Sequence, residues 1–77
     1  MWIDSYRIAS TNAANGLSYV RVYNLDGEMV AEVELCRRSP LKYLRSLTRG
    51  KHRASMLSQL QAHGVPDDTI NKIMTPP

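Results

Sequence analysis

The chain has one cysteine, no phenylalanine, four glycines, four prolines and no apolar run longer than a few residues. A single cysteine cannot form an internal disulfide, which favours a reducing compartment and leaves Cys36 as a small hydrophobe at a strand end. No stretch is long and apolar enough for a membrane helix, and Asp4 stands where a signal peptide would need its apolar core. A soluble, cytoplasmic protein is therefore expected, with no membrane partner. His52 and His63 lie eleven residues apart with no acid or cysteine at ligand spacing, so no metal site is expected. Neither a glycine-rich phosphate loop nor a nucleophile elbow occurs, and no triad can be read from the scattered serines. The sequence thus points away from an enzyme and from any cofactor.

What remains is ordinary for a globular chain: 43% hydrophobic and 22% charged residues exclude whole-chain disorder. Seventy-seven residues make a single small domain, 1–77, without repeat, linker or low-complexity tract. A chain of this length buries only about 60–65% of its extended surface, so its stability margin is thin. A partner surface, a homodimer included, would help to complete its core.

The charge is unevenly placed. The segment RRSPLKYLRSLTRGKHR holds Arg37, Arg38, Lys42, Arg45, Arg49, Lys51 and Arg53, seven of the ten Lys and Arg, and no acid. Residues 1–36 set Arg7 and Arg21 against Asp4, Asp26, Glu28, Glu32 and Glu34, and residues 54–77 set Lys72 against Asp67 and Asp68. Such a dipolar chain suggests an anionic partner on one side.

The strongest local signal is a β-hairpin. Leu17 to Tyr23 is rich in strand formers, Glu28 to Leu35 alternates, and Asn24-Leu25-Asp26-Gly27 reads as a type I turn with Gly27 in a G1 bulge. Continuous pairing from that turn sets Tyr23 opposite Met29, Arg21 opposite Ala31, Tyr19 opposite Val33 and Leu17 opposite Leu35. These residues then form one inward face, interrupted by Arg21, while Val20, Val22, Val30, Glu32 and Glu34 point outward. Trp2 to Ala9 supplies a third strand, with residues 10–16 as the connecting loop.

Three helices follow. Ser39 and Pro40 open one that Gly50 stops, with Leu41, Leu44 and Leu47 as its apolar stripe. A second spans about Lys51 to His63, with Met56, Leu57 and Leu60 inward and Gly64 ending it. Pro66 begins a third, with Asp67 and Asp68 in its first turn and Ile70, Ile73 and Met74 inward. The expected fold is α+β: a three-stranded antiparallel sheet followed by two or three short helices packed on one face. Pro76-Pro77 is a frayed end.

On the first helix Lys42, Arg45 and Arg49 share the face opposite the leucines, with Arg37 and Arg38 before it and Lys51 and Arg53 after it. Such a cluster suits several phosphates, and its arginines suit carboxylates equally well. The plain alternative is a solvated helix face whose charges reach back to Glu32 and Glu34. Those two glutamates, about 7 Å apart along one strand face, approach the spacing of successive phosphates, although a solvent-exposed face paired with neighbouring cations explains them more simply. Tyr19 and Tyr23 could stack on bases, as on RNA-binding sheets, but the register above assigns them to the core.

A sheet followed by a helix resembles the arm-binding domains of phage integrases, but the acids of this hairpin oppose its meeting DNA. Double-stranded RNA-binding domains share an order of strands and a helix, yet Ser39-Pro40-Leu41-Lys42 stands where their paired lysines would be. Chain size, the hairpin SYVRVYNLDGEMVAEV and the short helices after it resemble small phage-encoded anti-CRISPR proteins. That resemblance implies a non-enzymatic blocker of a nucleoprotein complex and carries over no functional residue. Two functions are therefore expected: a binding protein whose basic helical face engages nucleic acid or an acidic protein surface, or an inhibitor that blocks a host nucleic-acid-handling complex by protein contacts.

Overall fold

A computed structural model describes residues 1–12, 16–35 and 39–75. The expected hairpin turn forms around Asn24, whereas Ser10 to Asn12, expected in the connecting loop, belong to a strand, and residues 13–15 of that loop lie outside the described residues. The Asn24 side-chain Oδ1 accepts from the amides of Asp26 and Glu28, at 2.9 and 3.0 Å, and its carbonyl accepts from Gly27 at 3.1 Å. Gly27 has φ +82° and open space where a Cβ would stand. A Gly27→Val change should therefore cost backbone strain alone, about 1–2 kcal/mol. The urea midpoint should fall accordingly, and an unchanged midpoint would show that the turn tolerates a branched residue at positive φ.

The protein is α+β with an antiparallel sheet, but the sheet has four strands rather than the expected three, in the order β1 (Trp2–Ile3), β2 (Tyr6–Asn12), β3 (Ser18–Tyr23) and β4 (Met29–Leu35). The stretch read as one strand, Trp2 to Ala9, is broken by a two-residue turn at Asp4-Ser5. Asp4 adopts φ +53°, a conformation aspartate tolerates better than most residues. Its carboxylate accepts from Thr69 Oγ1 at 2.7 Å and Lys72 Nζ at 2.9 Å, tying this turn to the third helix. The Thr69 hydroxyl, and after it the Lys72 ammonium, hold the Asp4 carboxyl below the usual carboxylate range.

The register of the central hairpin also differs from the expected one. Tyr23 pairs with Met29, but Val22 then pairs with Ala31, Arg21 with Glu32, Val20 with Val33 and Tyr19 with Glu34. Val30 is the extra residue of a β-bulge, which shifts the remaining pairs by one. Val20, Val22, Ala31, Val33 and Leu35 consequently point inward, all less than a tenth exposed, and Tyr19 and Tyr23 leave the core for the opposite face. The bulge resolves the conflict that an inward Arg21 would have posed: Arg21 points outward and meets Glu32 at 2.6 Å.

The helices are α1 (Pro40–Ser46), α2 (Lys51–Ala62) and α3 (Asp67–Met74). Inward side chains of the sheet form one core cluster with Leu44, Met56, Leu60, Ile70, Ile73 and Met74. Leu57, expected inward, is 37% exposed. Gly64, at φ +74°, ends α2 in a Schellman arrangement: its amide donates to Gln61 and that of Val65 to Leu60, at 3.0 and 3.1 Å, and Val65 is buried. Between α2 and the sheet, the Gln59 side-chain amide pairs with both backbone groups of Glu32. Its Oε1 accepts from the Glu32 amide and its Nε2 donates to the Glu32 carbonyl, each at 2.9 Å.

Candidate functional site

α1 stops at Ser46, a turn short of the expected Arg49. Leu47 turns to an extended conformation, its amide folding back on Leu44 O at 3.3 Å. Arg49 therefore lies in the link between α1 and α2, and the face expected to carry Lys42, Arg45 and Arg49 on one helix does not form. Arg37 and Arg38 lie outside the described residues. The remaining five cations fall into two sets.

Arg45 and Arg53 are engaged with backbone. Arg45 donates from Nε to Ile73 O at 3.2 Å and from Nη2 to Lys72 O at 2.9 Å. Arg53 Nη1 donates to Met74 O and to Leu44 O. The last carbonyls of a helix have no intrahelical donor and carry the negative end of its dipole. Two half-buried guanidiniums supply donors to the last turn of α3, and one of them also reaches the end of α1. Arg45 thus occupies a structural position rather than the solvated face expected of it. Periodicity carries no signal for such a contact, because the partners are 28 and 27 residues away and only the folded chain brings them together.

Lys42, Arg49 and Lys51 are exposed, and among the described residues none of them has a hydrogen-bond or ion-pair partner. The described ion pairs are Arg21–Glu32 and Lys72–Asp4, so none of the five described cations of the basic segment reaches back to the strand glutamates. Lys51, His52 and Arg53 occupy the first turn of α2, where the helix dipole is positive. No acid stands in that turn, and Gly50, at φ +141°, offers no side chain to cap its amides. α3 follows the opposite pattern, with Asp67 and Asp68 in its first turn and Lys72 in its last. The start of α2 is thus a patch where cations, free amides and the helix dipole all have the same sign. Among the described residues no three His, Cys, Asp or Glu side chains come together, and no helix is long and apolar enough to cross a membrane.

The outward face of the sheet holds a second group that the expected register concealed. Trp2 pairs with Arg7, Arg7 with Tyr23 and Tyr23 with Met29, so the four share one row across the four strands. The Arg7 guanidinium lies 4.4 Å from the centroid of the Tyr23 ring, and that of Arg21 lies 4.9 Å from the Tyr19 ring. The predicted inward position of Arg21 was the one clue in the sequence that the tyrosines belonged outside. Compared with protein-family models, curated proteins and solved structures, the chain matches none.

Proposed function

We propose that this protein is a non-enzymatic binding module that engages nucleic acid through the phosphate backbone, using the cations at the α1–α2 link and the start of α2. The reading takes the three helices as one layer on the inward face of the sheet, with the basic link on the helical side and away from the acidic hairpin. One observation carries it. Among the described residues Lys42, Arg49 and Lys51 have no hydrogen-bond or ion-pair partner, and Lys51 stands at the positive end of a helix whose first amides no side chain caps. That arrangement disfavours the free fold by placing like charges together, and an array of phosphates would relieve it. Arg37 and Arg38, next in sequence to α1, would extend the footprint.

The test is a double charge reversal, Arg49→Glu with Lys51→Glu, which changes the patch by four charges and leaves Arg45 and Arg53 on their carbonyls. The variant should keep its thermal midpoint and lose at least about tenfold in affinity for a labelled duplex oligonucleotide. For the wild type, three phosphate contacts give a slope of about −2.7 in log affinity against log salt. A folded double variant with unchanged affinity would overturn the reading. A protein partner retained from host lysate after nuclease treatment, and lost in the double variant, would instead favour an acidic protein surface or the inhibitor role.

A further inference from the structure

Among the described residues, the outward face of the sheet carries two opposite charges that no ion pair neutralises. Arg7 is exposed, and among the described residues its guanidinium touches the Tyr23 ring but no hydrogen-bond acceptor. Glu34, on β4, is exposed and has no partner among the described residues. Between them Arg21 and Glu32 neutralise one another at 2.6 Å. In the same row as Arg7 stand Trp2, 57% exposed, and, beyond Tyr23, Met29, 49% exposed, side chains whose exposure in a domain this small leaves apolar area uncovered. Trp, Tyr, Met and Arg are the types enriched at the centres of protein interfaces.

From this we infer that the outward face of the sheet binds a second copy of this chain, face to face about a two-fold axis lying over Arg21. The register supplies the symmetry. Arg7 sits on β2 in the row of Tyr23, and Glu34 sits on β4 in the row of Tyr19, while Arg21 lies midway on β3. Rotation about an axis in the plane of the face, perpendicular to the Arg7–Glu34 diagonal, carries Arg7 of each copy onto Glu34 of the other and forms two ion pairs. The strands of the two sheets then cross at close to a right angle, the orthogonal class of sheet packing. A polyanion is a poorer occupant, because Glu34 and the acids Asp26 and Glu28 of the β3–β4 turn border the face and would repel phosphates. The face is about 15 by 20 Å, at the low end of what a specific interface needs, so the dimer is weak and depends on concentration. It leaves both helical layers outermost, so the two basic links face away from each other.

Sedimentation across micromolar to millimolar protein should show the mass rising from 8.7 kDa towards twice that value. Trp2, the single tryptophan of the chain, should report the same transition by a blue shift of its emission. Arg7→Glu alone and Glu34→Arg alone should each weaken association by about tenfold or more without moving the melting temperature, and the two together should restore it. A monomer at millimolar concentration, a dimer indifferent to either reversal, or failure of the swapped pair to recover would overturn the proposal. So would a monomeric wild type whose Trp2 emission shifts on adding single-stranded oligonucleotide, since that would make the face a base-stacking surface. Neither reversal touches the basic link, so the outcome is independent of duplex binding there.

Discussion

Leu44→Ala is expected to destabilise the protein by about 2–5 kcal/mol, the range for emptying a fully buried leucine site. Leu44 is completely buried and is the α1 residue within the core cluster, with Leu41 and Tyr43 packed partly buried against it and Pro40 buried at the start of the helix. A helix that short has little stability of its own and exists because its apolar face is covered. A 77-residue domain has about 4–12 kcal/mol in total at typical values per residue. Truncation of this one side chain therefore removes a large share and should leave a measurably unfolded population at physiological temperature. Equilibrium urea denaturation reads the effect directly. A loss below about 1 kcal/mol, the level of an unremarkable substitution, would mean that α1 is not anchored as described.

Arg53→Met should cost about 1.5–3 kcal/mol, and Arg49→Met less than about 0.5 kcal/mol, although both replace an arginine of the same basic segment with a side chain of similar reach. The difference lies in what each guanidinium touches. Arg53 donates to Met74 O and Leu44 O, so its removal takes the donor from Met74 O at the end of α3 and leaves Leu44 O with the Leu47 amide alone. Arg49 has no partner among the described residues. Arg45→Met should fall between them, since Arg45 serves the neighbouring carbonyls of Lys72 and Ile73, and the Arg45/Arg53 pair should be non-additive because both serve one helix end. Parallel denaturation curves for Arg49→Met and Arg53→Met would show that the guanidinium contacts with α3 contribute nothing.

The contrast between these arginines marks what the sequence can and cannot disclose. Local rules located the Asn24–Gly27 turn, the ends of α2 at Gly50 and Gly64, and the inward residues Ile70, Ile73 and Met74 of α3, because each depends on neighbours within a turn or two. The bulge at Val30 escaped them. Both faces of β3 are rich in strand formers, with Val20 and Val22 on one side and Tyr19 and Tyr23 on the other, so alternation alone could not choose. A continuous ladder favoured the tyrosines as core. The insertion of one residue lets Val30 and Ala31 both be buried and leaves Glu32 and Glu34 outward. For the basic segment, composition located the charge but not its division between fold and surface. That division depends on where the end of α3 comes to rest, which is a property of tertiary packing.

Gln59 has a consequence for how this fold can meet other chains. β4 borders the sheet, and a bordering strand ordinarily offers its outward amides and carbonyls as a template on which a foreign strand can grow. At Glu32, near the middle of that border, both groups are already taken by one side-chain amide, which imitates a single residue of a fifth strand. The opposite border begins with β1, two residues long, which pairs with Tyr6 and Arg7 and leaves β2 to run on alone to Asn12. Strand addition is therefore obstructed at the middle of the β4 rim, and the rim left open to it is the far end of β2.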